Sequence, residues 1–291
     1  MLRLALAILL SLAAPLAAQE KPPMRIVALN WALAESLLAI GVVPIGVADV
    51  MGYRTWVGRP ELALDTPDVG LRTEPNLETI AALAPDLILA SDQQRDLLPA
   101  LGRIAEVWHV PGFSADQDNA ATARAEFLAL GTRLGRGAEA RAALARSDAR
   151  IEAAAARLHA HFGEPLPEVL PIRLLSPTTV RIHGANGMAR AALAMMNLPH
   201  PDPGAPNRWG FRQRPVEDLA RFDRAIVVNF TPFPARRALF GSALWSFMPF
   251  VQGGRFAETG PVWAFGGAVS LGYMAEAIAE GLLTIDPEAL P

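Results

Sequence analysis

Residues 119–163, NAATARAEFLALGTRLGRGAEARAALARSDARIEAAAARLHAHFG, contain no proline, almost no strand-forming residue and a background of alanine, arginine and glutamate. Such a composition favours helix, and the glycines at 135 and 137 break it, so the stretch predicts two helices. Taken as one helix, Ala138 to Phe162 spans ~37 Å at 1.5 Å per residue, roughly the diameter of a domain. A stiff rod of that length can bridge two lobes. What stands on either side of it therefore decides the fold.

On the N-terminal side, RIVALN from Arg25 reads as a short buried strand. WALAESLLAIG follows as a helix with apolar Leu33, Leu37, Leu38 and Ile40, stopped by Gly41. VVPIGVAD is a second strand-like run. MGYRTWVGRPELALDTPD is rich in glycine, proline and turn formers and reads as a long loop. NLETIAALAP is a helix ended by Pro85, and DLILA a short buried strand. This alternation predicts a parallel sheet with crossover helices. Beyond the rod, EPLPEVLPIRLLS restarts the alternation. The expected fold is α/β, with two similar lobes of mainly parallel sheets, 24–136 and 164–291, joined by a long rigid interdomain helix, 137–163.

The second half also repeats the first. RIVALNWALAESLLAIG at 25–41 sets against RIHGANGMARAALAMMN at 181–197, and NLETIAALAPDLIL at 76–89 against PVEDLARFDRAIVV at 215–228. The second pairing puts Glu78 and Glu217 at equivalent places in the two lobes.

The first residues, MLRLALAILLSLAAPLAAQE, combine an early arginine, an apolar run and small residues before Gln19. They read as a secretory signal peptide, 1–18, cleaved after Ala18. With no cysteine in the chain, an exported protein of this size depends on ordinary cores, which fits a bacterial periplasm. The net charge is only −3 and no basic stripe carries interleaved aromatics, which argues against nucleic acid as a partner.

No catalytic constellation emerges. G-x-S-x-G, P-loop and H-E-x-x-H patterns are all missing from the sequence. His159 and His161 point ~200° apart on a helix and cannot share a metal; His109, His183 and His200 are scattered. GANGMAR at 184–190 lacks phosphate-loop spacing, and Asn186 reads better as the N-cap of a following helix. The expectation is no enzyme, no catalytic residue, no cofactor and no protein-held metal.

Tryptophans are more informative. Trp31, Trp56, Trp209 and Trp263 stand at strand-to-helix junctions or in loops, the last three within two residues of Gly, Pro or Arg, as expected of residues converging on a cleft outside the carboxyl ends of parallel strands. Trp108 and Trp245 read as core.

Taken in order, RIVALNWALAESLLAIGVVPIGVAD, YRTWV, VGLRTEPNLE, NRWG, SALWSFMPFVQGGRF and PVWAFGGAVS closely resemble the periplasmic ferric-hydroxamate siderophore-binding proteins of ABC importers, from about Met24 to Gly281. The resemblance implies an aromatic-lined cleft between the lobes, a ferric siderophore as ligand with iron held by the chelator, and an inner-membrane ABC permease as partner of a monomer. It places Arg72 on the arginine that donates to the hydroxamate oxygens, a role that suits a permanently charged fork of N–H donors. Trp31, Trp56, Trp209 and Trp263 fall on pocket aromatics and Met188 on an apolar pocket position. Two phenols of the family are replaced: Gln94 stands where a tyrosine contacts the hydroxamate, and Phe265 replaces another; Ala90 stands for a tryptophan. Glu78 and Glu217 match the glutamates that dock on the permease. Helix-dipole stabilisation is the alternative role for each.

Arg208, Arg212 and Arg214 crowd around Trp209. They suit either a siderophore with free carboxylates or a solvated face paired with acids, and both readings stay open. Two rival functions also stay open: a binding protein for another iron chelate, haem or a corrinoid, and an exported hydrolase.

Overall fold

The computed structural model describes residues 24–291; the expected signal peptide at 1–18 lies outside them. No helix among these residues is long and apolar enough to cross a membrane.

In the N-terminal lobe, β1 (Ile26–Ala28) runs at the centre of a four-stranded sheet of order β2-β1-β3-β4, with β2 (Gly46–Val47), β3 (Leu87–Ser91) and β4 (Glu106–Val110). Every pair is parallel. Helix α1 (Trp31–Ala39) follows β1, capped by the Asn30 side chain on the Ala32 N–H, and the chain leaves it through Gly41 at φ +77°. The expected long loop after β2 instead opens with a helix, α2 (Val50–Trp56), because Asp49 caps it on the Gly52 N–H and Tyr53 buries its ring in the lobe core. Turn formers had masked a cap. Helix α3 (Leu77–Ala82) is capped by Asn76 and carries Glu78 in its first turn. A short α4 (Leu98–Leu101) leads into β4.

The predicted pair of helices follows. Helix α5 (Asn119–Arg133) ends before Gly135 at φ +67°, and α6 (Gly137–Phe162) is the long rod. Its buried residues, Ala140, Ala143, Leu144, Ser147, Ile151, Ala154 and Leu158, form one stripe at helical spacing. The first three pack with Ile40, Phe127 and Val269; Ile151, Ala154 and Leu158 belong to the core of the C-terminal lobe.

That lobe has a five-stranded sheet of order β7-β6-β5-β8-β9, formed by β5 (Val169–Leu174), β6 (Thr179–His183), β7 (Phe211–Pro215), β8 (Ile226–Phe230) and β9 (Phe256–Thr259). Pairs β5–β8 and β8–β9 are parallel, whereas β6 runs antiparallel to both neighbours. Helix α7 (Met188–Met195) follows β6. Short helices α8 (Arg236–Phe240), α9 (Ala243–Ser246) and α10 (Pro249–Gln252) pack an aromatic cluster in which Trp245 stacks on Phe240 at 4.6 Å, and α11 (Ser270–Leu282) lies along α6. At that contact the Gly272 N–H donates to Ser147 Oγ at 3.1 Å, and a Cβ on Gly272 would come within 2.7 Å of that oxygen. The close approach requires glycine.

The topology separates the two repeat pairings. Strand β3 joins β1 to β4 as β8 joins β5 to β9, so the segments leading into β3 and β8 correspond. The other pairing aligns β1 with β6, yet β6 sits beyond β5, in the place β2 takes in the first sheet. A strand–turn–helix pattern recurs there without a shared sheet position. Asn186 is not the N-cap of α7. Gly187 occupies that position, while Asn186, at φ +66°, accepts from Asn119 N–H at 3.2 Å and donates to the Ser114 carbonyl at 2.6 Å.

Candidate functional site

The carboxyl ends of β1, β3 and β4 open onto a pocket of about 600 Å³ between the lobes, within the usual range for small-molecule sites. The C-terminal lobe closes it with Arg181 of β6, Trp209 and Phe211 near the start of β7, and Trp263, Phe265 and Gly267 after β9. Helix α5 supplies a third wall through Thr122, Glu126, Phe127 and Leu130. That wall was not read from the sequence. The apolar face of α5 was the available signal, but a helical stripe does not say whether it meets a core or a cavity.

Arg72 lies at the floor. Its guanidinium stacks 3.6 Å from the centre of the Trp31 ring and 5.4 Å from that of Trp263. Asp49 Oδ2 stands 3.7 Å from Nε, close enough for ion pairing but too far for a hydrogen bond, and Nε is buried without a partner. Burial lowers the pKa of the group, an effect that Asp49 partly offsets; a guanidinium stays charged regardless. Trp31 is 2% exposed, with Nε1 donating to the Ala48 and Asp49 carbonyls, both at 3.1 Å. It supports Arg72 from below and leaves the pocket surface to others.

Phe265 is the hub of the aromatic wall, with ring centres at 5.3 Å from Trp263, 5.8 Å from Phe211, 6.0 Å from Trp209 and 6.3 Å from Phe113. Of the predicted aromatics, Trp209, Trp263 and Phe265 thus line the pocket; Phe113 and Phe211 are additions. Trp209 keeps 43% of its surface exposed beside the pocket.

Three more predicted contacts are placed elsewhere. Trp56 packs on the N-terminal core with the Arg173 guanidinium 5.1 Å from its ring, so it serves a contact between lobes. Met188 is fully buried in the C-terminal core, packed among residues of that lobe and absent from the pocket wall. Gln94 is also fully buried. Its Oε1 accepts from the Ser91 N–H at 2.8 Å in a capping box, and its Nε2 donates to the Leu29 carbonyl at 3.3 Å and to the Arg72 carbonyl. Gln94 holds the backbone of Arg72 and cannot itself reach a ligand in the pocket. Gln93 lines the surface in its place.

The arginine crowd also disperses. Arg212 pairs with Asp202 at 3.1 Å, Arg214 is exposed on β7, and Arg208 bridges the cleft mouth to Asp92 at 3.1 Å. Asp92 also receives Arg95 at 2.6 Å and His109 at 3.0 Å. Burial raises its pKa, but these donors and the Gly112 N–H outweigh it and hold the carboxyl below the ordinary range. Glu126, with no ion pair among the described residues, is pushed up to about 7 by burial.

At the back of the pocket, Glu35 of α1 is 1% exposed and joins the two lobes. Its carboxyl accepts from Ser270 Oγ at 2.5 and 2.7 Å and from the Gly267 N–H at 2.9 Å. Burial raises it to about 7 against the pull of those two donors. The histidines do not converge: His159 meets Glu164, His161 the Ile285 carbonyl, and buried His183 is driven down to about 3, chiefly by desolvation. No group of three or more His, Asp or Glu able to hold a metal occurs among the described residues.

Glu78 and Glu217 are both exposed, Glu78 in the first turn of α3 and Glu217 in that of a 3-10 helix, Val216–Arg221. These segments lead into the topologically equivalent β3 and β8.

Residues 26–262 match the family model described as periplasmic binding protein. The chain is 34% identical over 254 residues to the iron(3+)-hydroxamate-binding protein FhuD of Escherichia coli, covering 85% of this chain and 83% of that one. Over a shorter segment of 90 residues, 30% of each chain, it is 42% identical to the Fe(3+) dicitrate-binding periplasmic protein FecB of the same organism. Among solved structures, the Fe3+-Desferal-bound siderophore-binding protein FhuD from Vibrio cholerae superposes with a TM-score of 0.88 at 41% identity, over 92% of this chain and all of that one. The chain belongs to the periplasmic binding protein family.

Proposed function

We propose that the protein captures a ferric hydroxamate siderophore in the pocket between its lobes and delivers it to an inner-membrane ABC permease for iron uptake, acting as a periplasmic monomer and not as an enzyme. The observation that carries this is Arg72: a guanidinium on the pocket floor, stacked on Trp31, whose buried Nε has no hydrogen-bond partner. Hydroxamate oxygens around ferric iron are electron-rich and closely spaced, the acceptor pattern a fork of N–H donors fits. Trp209, Trp263 and Phe265 offer faces and edges to the carbon framework of the chelator. Iron is cargo, held by the siderophore, so the site needs no protein ligand to metal. The similarity to FhuD proteins of two organisms supports the same ligand class.

Tryptophan fluorescence titration with ferric desferrioxamine B tests this. Charge-assisted hydrogen bonds contribute about 1.5–3 kcal/mol, so Arg72→Ala should weaken binding roughly 10- to 100-fold. Arg72→Lys, a point charge without the fork, should fall between. Wild-type protein that does not bind, or an Arg72→Ala variant that binds equally well, would overturn the proposal.

A further inference from the structure

Strands β5 and β6 place two arginines directly opposite each other: Arg173 and Arg181 are register partners of an antiparallel pair. Like charges in that relation destabilise a sheet, and no carboxylate answers either one among the described residues. Arg173, 4% exposed, donates only to backbone oxygens, the Val262 carbonyl at 2.9 Å and the Thr231 carbonyl at 3.5 Å, with its guanidinium 5.1 Å from the Trp56 ring and 6.0 Å from the Phe230 ring. The Arg181 side chain makes no ion pair or hydrogen bond among the described residues. Its guanidinium lies 4.5 Å from the centre of the Phe211 ring, its Nε is buried without a partner, and it lines the pocket.

The acids lining the pocket do not compensate this charge. Asp92 is occupied by Arg95, His109 and Arg208. Glu126 forms no ion pair among the described residues, and burial, raising it to about 7, leaves its charge incomplete near neutral pH. His183, two residues along β6, is held neutral and adds no charge. A sheet that tolerates facing, unanswered arginines at a cavity wall retains an electrostatic cost that an incoming anion would relieve.

We propose that Arg181, backed by Arg173, forms an anion subsite on the C-terminal wall of the pocket that selects ferric hydroxamates carrying a free carboxylate. The proposal rests on the ferric-hydroxamate reading of the pocket. It separates two recognition tasks by lobe: Arg72 takes the iron-bound oxygens, and Arg181 a carboxylate at the ligand's periphery, for which a planar guanidinium is the matching fork. Arg208, Arg212 and Arg214 are not needed for it.

A matched ligand pair tests the subsite: ferric desferrioxamine B acylated at its terminal amine with acetyl, which leaves no charge, or with succinyl, which leaves a carboxylate. Wild-type protein should bind the succinyl complex about tenfold tighter, and added salt should narrow the gap. Arg181→Gln should remove the preference by weakening the succinyl complex about tenfold more than the acetyl complex. Should that variant not fold, Arg181→Met keeps the stem over Phe211 and makes the same comparison. Equal binding of the two complexes by wild type, or a preference that survives in the variants, overturns the subsite alone. Failure of both complexes to bind wild type overturns the ferric-hydroxamate reading, and the subsite with it.

Discussion

Gln94 shows how a residue can matter to a site it does not touch. Its amide nitrogen donates to the Leu29 and Arg72 carbonyls while its oxygen closes the cap on Ser91, so one side chain ties the end of β1, the turn bearing Arg72 and the turn after β3. Gln94→Ala would leave these buried groups unpaired, at a cost of about 1–3 kcal/mol, and free the Arg72 turn to move. Denaturant unfolding should register that loss, and ferric desferrioxamine B should bind more weakly. Gln94→Glu, which keeps the acceptor for Ser91 but loses the donor to Arg72, should show the binding defect as well. Affinities within twofold of wild type in both variants would detach Arg72 from Gln94. The sequence did carry this role, in the S-x-x-Q spacing of Ser91 and Gln94 that marks a capping box. Positional correspondence with a ligand-contacting tyrosine pointed instead to the pocket, because correspondence along a chain does not say which way a side chain turns. Met188 fell to the same cause. Arg72 was named through the family resemblance, and the fold puts it in the pocket lining. Arg181 was not legible, since alternation within TVRIH reads only as a strand with one polar face, and its facing arginine becomes visible only with the register.

Helix α6 fixes how the lobes relate. Its N-terminal half is buried with N-terminal residues such as Ile40 and Phe127, and its C-terminal half in the core of the other lobe, so bending it would open two cores at once. Lobe motion on ligand capture should therefore be small, in contrast to lobes hinged on flexible strands. Proline-free composition and two glycines made this element legible, whereas α2 stayed hidden behind turn formers until Asp49 was seen to cap it. A second tie joins α1 to α11 through Glu35, Gly267 and Ser270, and it responds to pH. Because Glu35 holds its proton up to about pH 7 in the fold against 4.5 ordinarily, the native state binds the extra proton within that window. The stability it lends is complete below about 4.5 and declines as the pH rises to about 7, a change of order 3 kcal/mol. Glu126 acts in the same direction, and His183, driven down to about 3, in the opposite one. Comparison with Glu35→Gln isolates the tie. The amide can still accept from Gly267 and share a hydrogen bond with Ser270, so the variant's unfolding free energy should fall less between pH 5 and 7 than that of wild type. Parallel curves would show that Glu35 does not titrate in this range.

At the scale of the whole molecule, the two lobes share one part of their topology. The sheets differ: one is all parallel, and the other has β6 antiparallel to its neighbours. Yet the segments entering β3 and β8 correspond, and each carries an exposed glutamate in its first helical turn, Glu78 and Glu217. The helix dipole alone accounts for an acid at such a position, and reversal there costs only about 0.6–2 kcal/mol, twice the worth of one such charge. That small figure makes the docking proposal testable, because charge reversal should leave the fold and the distant pocket intact. The double variant Glu78→Arg/Glu217→Arg should bind ferric desferrioxamine B within about twofold of wild type, or ~0.4 kcal/mol, and unfold within ~4 kcal/mol of it. In cells relying on this protein for uptake of radiolabelled ferric siderophore, transport should be lost, with each single reversal retaining part of it. Uptake at the wild-type rate by the double variant would assign both glutamates to helix stabilisation and remove them from the permease contact. Loss of uptake together with loss of binding would place the defect in capture, and docking would have to be sought on another surface.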